Sequence, residues 1–230
     1  MILSYISNDI FNQNVFKDAA IIDSGFFGLS QNHILYNQNT FNRKHGGTVL
    51  KIASHHNPIT FHLATIQNHR NALLDALNAL PDNLPILNLS LVWNTHNPQI
   101  YDVLFHKFKY IICAYKENTY PTLYKSSHPN QIITVSNNHI SHADYIIPLN
   151  KMFGMSGISA ITPIITNLIS HNPDFLSLQS NLIHIKDAFI QNKNVNVYHN
   201  IKRIPCPNCG YVNDNLIQYC KICNHIMRCL

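Results

Sequence analysis

The feature that most constrains this chain is a rhythm of short apolar runs. They lie at Ala19 to Ile22, Ile59 to Ala64, Ile86 to Leu91, Tyr110 to Ala114 and Ile132 to Val135, each bounded by polar or turn residues. Such runs read as buried strands, because a strand covered on both faces has no polar side to show. Segments with helical spacing lie between them. Leu73, Leu77 and Leu80 recur with Ala72 and Ala76 until Pro81 stops the run, and His96 to Phe108 forms a second segment with Pro98 in its first turn. Strands that alternate with helices pair in parallel through right-handed crossovers, and each crossover helix covers a face of the sheet. The expected fold class is α/β, a parallel sheet flanked by helices on both faces. Sheets of this kind gather reactive groups at the carboxyl ends of their strands.

Composition narrows the possibilities further. With 230 residues and 46% hydrophobic side chains, the chain has room for one main core and a small appendage. The formal charge of +5 reflects a scarcity of acids, 11 against 16 Lys and Arg, and so nucleic acid is not an expected partner. Met1 to Asp9 lacks a basic start and an unbroken apolar core, so no secretion signal is expected. A membrane span is not expected either, since no stretch reaches about 18 uninterrupted apolar residues. Of the 6 cysteines, all but Cys113 fall at or after position 206, and four of those form two C-x-x-C pairs. This usage suits a reducing, cytoplasmic compartment. Cys113 itself lies in an expected strand and reads as a small core residue.

Three short segments carry candidate chemistry. Ala19-Ala20-Ile21-Ile22-Asp23-Ser24-Gly25 is an apolar strand ending in an acid and then small residues. His45-Gly46-Gly47-Thr48-Val49 sets a histidine before two glycines, which permit close backbone approach, and runs on into a helix. In Gly157-Ile158-Ser159-Ala160-Ile161-Thr162-Pro163 a serine precedes an apolar helical run. Ser159 would open that helix, where the dipole favours developing negative charge.

In this order the segments resemble the subtilisin family of serine peptidases, whose patterns are D-[ST]-G, H-G-T-x-V-A-G and G-T-S-x-A-x-P. The resemblance implies that Asp23 orients an imidazole, His45 serves as general base and then acid, and Ser159 attacks the substrate carbonyl. It further implies that Asn118, after Ile111 to Glu117, donates to the oxyanion, and that Leu89, Ser90 and Leu91 in Asn88-Leu89-Ser90-Leu91 bind the substrate. Tyr120-Pro121 and Asn130 to Val135 are similar to further family segments. The likeness covers about Ala19 to Ile169. It departs from the family at Ile158 and Gly47, where the pattern has threonine, and at Leu50 and Lys51, where it has Ala and Gly. Gly154-Met155-Ser156 is an alternative G-x-S register, but only the Ser159 register puts Pro163 in the family's place. The region is short for the family, so calcium-binding loops are not expected, and Met1 to Asp18 is too short for the usual folding pro-domain.

The tail has a separate signature. Cys206, Cys209, Cys220 and Cys223 form the spacing of a zinc ribbon, with Gly210 easing the turn after the first pair. Four thiolates close a tetrahedron around one structural Zn2+, which leaves His225 and Cys229 outside the ligand set. The expected organisation is a peptidase domain over 1–190, an Asn-rich linker over 191–203 and a zinc ribbon over 204–230. The expected function is a serine endopeptidase acting on a peptide or protein substrate, with a protein partner docking at the ribbon. The alternative is a catalytically inactive scaffold of the same fold that binds a partner through cleft and ribbon.

Overall fold

A computed structural model defines residues 3–6, 16–27, 34–36, 44–55, 59–66, 72–138, 142–149, 151–152, 154–171, 182–189 and 193–199. The first strands are Leu3–Ile6 (β1), Asp18–Asp23 (β2), Ile34–Tyr36 (β3) and Thr60–Thr65 (β4). Ile86–Leu89 (β5), Tyr110–Ala114 (β6), Ile132–Ser136 (β7) and Tyr145–Ile146 (β8) follow. Helices His45–Ala53 (α1), Ala72–Ala79 (α2), Pro98–Lys107 (α3) and Thr162–His171 (α4) lie among them. Lys151–Met152 (β9) and Met155–Ser156 (β10) make a small antiparallel hairpin, and Leu182–Phe189 (β11) and Lys193–His199 (β12) come last.

The main sheet runs β1-β11-β12-β8-β7-β6-β5-β2-β4-β3. From β8 to β3 every neighbouring pair is parallel. The chain starts this parallel part in its interior, at β2. From there it goes to β3, returns to β4 between β2 and β3, and then crosses to β5, β6, β7 and β8 on the other side. The carboxyl end of β2 is therefore the place where the strand order reverses, the position at which open α/β sheets generally bind their ligands. Lys193–His199, within the stretch expected to be a linker, forms β12 and pairs antiparallel with β8. Residues 200–230, and with them the expected ribbon, lie outside the described residues.

Alternation along each strand divides the core in two. Ala19, Ile86, Ile112 and Ile133 pack with Ile52 of α1 and with Ile164, Ile165, Leu168 and Ile169 of α4. Ala20, Leu87, Leu89, Ile111 and Cys113 face the other way, toward Leu73 and Leu77 of α2 and Ile100 and Leu104 of α3. Helices thus cover both faces, as the apolar runs require. Local signals set the helix ends: the Asn97 side chain accepts from the Gln99 amide at 3.1 Å, with Pro98 inside the first turn of α3. Helix α4 is buried along its whole length, Thr166, Asn167 and Ser170 included. Cys113 is fully buried, and desolvation pushes its thiol pKa up, so it belongs to the core. Among the described residues no helix is long and apolar enough to cross a membrane.

Candidate active site

Asp23 ends β2 with its side chain on the α1 face, and is 1% exposed. Its Oδ1 accepts from the Ser24 amide at 2.6 Å and lies 2.7 Å from Nδ1 of His45, the first residue of α1. His45 is brought this close by its neighbour. A Cβ on Gly46 would stand 2.5 Å from the Gly25 carbonyl oxygen and 2.9 Å from Cβ of Asp23, so only glycine lets α1 sit so tightly on the end of β2. Gly47 is under no such demand, since a Cβ there would meet the Phe27 carbonyl oxygen at 3.4 Å. The hydrogen bond to Asp23 raises the His45 pKa above 6.5; burial lowers it, and the charge of Asp23 adds to the rise. Nδ1 is thereby committed to the carboxylate, and Nε2 is left without a hydrogen-bond partner among the described residues.

The neighbouring strand presents the second half of the site. β2 and β5 pair Ile21 with Asn88 and Ile22 with Leu89; Asp23 then ends β2, and Ser90 follows the last residue of β5. Ser159 lies in the single 3-10 turn Ile158–Ala160 ahead of α4, and its hydroxyl donates to the Ser90 carbonyl at 2.8 Å. That turn also packs against α1. The sequence suggested that Ser159 opens the long helix, but α4 begins at Thr162, so the dipole acts on the serine only through this intervening turn. The structure joins Asp23 to His45 and Ser159 to Ser90. It does not join Ser159 to His45.

The remaining candidates occupy the same rim of the sheet. Asn118 is exposed in the turn after β6, with a left-handed backbone (φ 56°) that asparagine tolerates better than most residues. Leu89 is buried on the α2 and α3 face, so a substrate would meet this strand through backbone groups and not through that side chain. Leu91 is half-buried against the same cluster. Beyond Leu91, Trp93 and Tyr120 exchange backbone hydrogen bonds (Trp93 N–H to Tyr120 O, 3.2 Å; Tyr120 N–H to Trp93 O, 2.8 Å) and stack at 6.4 Å. This bridge ties the segment that carries Ser90 to the one that carries Asn118. Ser156 is exposed in β10. Among the described residues no group of His, Cys, Asp or Glu side chains could hold a metal, and Cys206, Cys209, Cys220 and Cys223 fall outside those residues.

No known family model matches this chain, and no curated protein matches it.

The contrast between the two glycines gives a test of how the pair is assembled. Gly46→Ala should push α1 off the end of β2 and lower stability by about 1–3 kcal/mol, as overpacking does. Gly47→Ala should be neutral or slightly stabilising, because alanine favours the helix. Thermal unfolding of the two variants beside the parent measures both effects.

Proposed function

We propose that this chain is a serine endopeptidase of the subtilisin kind. The observation that carries the reading is the Asp23–His45 pair, held at the carboxyl end of an interior parallel strand, with the Ser159 hydroxyl bonded to the carbonyl of Ser90, just past the end of the adjacent strand β5. A buried acid bonded to Nδ1 fixes the tautomer and orientation of a general base, and the free Nε2 is the atom that takes a proton. The chain order Asp, His, Ser and the motif residues around each support the family assignment.

In the reaction, Ser159 gives its proton to Nε2 of His45 as Oγ bonds to the scissile carbonyl carbon. The carbonyl oxygen becomes an oxyanion, held by the Ser159 amide and the Asn118 side chain. Collapse of this intermediate breaks the C–N bond, and His45 returns the proton to the departing amine. Water, deprotonated by His45, then hydrolyses the ester on Ser159. For His45 to accept the proton, the Ser159 hydroxyl must turn from the Ser90 carbonyl to Nε2. Catalytic hydrogen bonds commonly tighten only when substrate binds. The compact chain and the appended cysteine-rich tail favour a dedicated peptide or protein substrate, with the tail, stapled by one structural Zn2+ on its four thiolates, as a docking module for a partner. The proposed setting is cytoplasmic.

One observation favours a second reading, a catalytically inactive scaffold that binds a peptide through the same rim. The nucleophile's proton is engaged by a backbone carbonyl and not by the imidazole.

A fluorophosphonate probe separates the two readings. A peptidase is labelled, and labelling disappears in Ser159→Ala and falls sharply in His45→Ala; a folded but unlabelled wild-type protein favours the scaffold. The tail has its own test, since elemental analysis of the purified full chain should find about one zinc per molecule, as a closed four-thiolate site requires. Metal-free protein from zinc-replete medium would exclude the site.

A further inference from the structure

Beneath Ser159 runs a buried polar chain that the catalytic reading does not use. Oγ1 of Thr166, in the second turn of α4, donates to Oδ1 of Asn88 at 2.7 Å. Nδ2 of Asn88 donates in turn to Oγ of Ser90 at 3.0 Å, and the carbonyl of Ser90 accepts the Ser159 hydroxyl. Thr166 and Asn88 are fully buried and Ser90 is 3% exposed. Asn88 lies in β5 and Ser90 just past its end, and the hydrogen bond between their side chains puts both on one side of the strand. That face looks onto α4, and its other neighbour in β5, Ile86, packs against the apolar residues of the same helix.

Polar side chains in such a place weaken a core unless every group is satisfied, and an apolar residue would fill the same space at no polar cost. What the pair provides is direction. Apolar contact between α4 and β5 tolerates small slides along the strand, whereas a hydrogen bond of 2.7 Å from one hydroxyl to one amide oxygen does not. We propose that Thr166 and Asn88 are positioning residues that fix the register of α4 on β5, and thereby the place of the Ser90 carbonyl and of the Ser159 hydroxyl above it. The inference rests on the peptidase reading. Neither side chain touches substrate; they act through Ser90 and through the start of α4. A neighbouring bond on the same helix supports this role, since Asn167 Nδ2 donates to the carbonyls of Ala53 and His55 at 2.8 Å each and so ties the end of α1 to α4. The helix that follows the nucleophile is thus pinned to the strand beside it and to the helix that carries the base.

The test compares Thr166→Val, which keeps the shape and loses the hydroxyl, with Thr166→Ser, which keeps the hydroxyl and loses a methyl. Turnover of a peptide substrate is measured in the full chain and normalised to sites titrated with a fluorophosphonate, with thermal unfolding alongside. Thr166→Val should lower kcat about tenfold, the factor that corresponds to ~1.4 kcal/mol in the barrier. Thr166→Ser should keep kcat within about twofold of wild type even if its melting temperature is the lower of the two, because lost packing and lost direction are separate effects. A Thr166→Val enzyme with undiminished kcat overturns the inference while the peptidase reading stands. The same follows if both variants lose activity equally, which would assign the effect to packing. A wild-type protein without hydrolytic activity or labelling overturns both readings.

Discussion

The hydrogen bond between Asp23 and His45 is the interaction on which the rest of the site depends. A carboxylate this buried is costly unless its oxygens find donors. Oδ1 has three, the Ser24 amide, the Ser24 hydroxyl and the imidazole, whereas Oδ2 is buried without a hydrogen-bond partner among the described residues. Asp23 has therefore few ways to be satisfied, and the position of α1 is decisive among them. The helix reaches that position only because Gly46 lets its backbone touch the end of β2. One acid at a strand end thus constrains a helix start, and the helix start aims a base over the rim of the sheet.

Helix α4 supplies the complementary constraint. Its apolar residues fill the space between the sheet and α1, as burial alone would demand. Its polar residues decide where along the sheet it stops. Thr166 grips β5 and Asn167 grips the end of α1, so one helical turn fixes two partners at once. Dispersion and water release make the packing favourable, and directional bonds select one packing from several of similar energy. A site whose parts come from β2, α1, β5 and the approach to α4 needs that selection, since each part reaches the rim from a different stretch of chain.

Much of this was legible in the sequence. The five apolar runs became β2, β4, β5, β6 and β7 to within a few residues, and Pro81 and Pro98 marked helix limits correctly, because strands buried on both faces and prolines at helix limits leave local signals. Asp23 at a strand end and His45 at a helix start were legible as local features, but their pairing was implied only by the family resemblance. Other features were invisible for physical reasons. β3 is three residues long and β8 two, too short to show a period, and they exist because neighbouring strands offer them backbone partners. Thr166, Asn167 and Ser170 look like the solvated side of a helix until its neighbours bury them. Asn88 drew notice only as part of a substrate strand, since its partner lies 78 residues away. The direction of the Ser159 hydroxyl belongs to the same class, set by a carbonyl 69 residues off and not by its own motif.

A titration of the His45 imidazole reads the central interaction directly. Histidine-labelled protein is followed by NMR across pH, with the His45 signal assigned by its loss in His45→Gln. The carboxylate stabilises the imidazolium, so the midpoint in wild type should lie above 6.5 and should fall in Asp23→Asn. By linkage, the charged pair then contributes its full stability below 6.5, the value in the unfolded chain, and loses it as pH rises through the higher folded value. A midpoint that Asp23→Asn leaves unchanged would mean that acid and imidazole are not coupled and would contradict the assembly of the site described above.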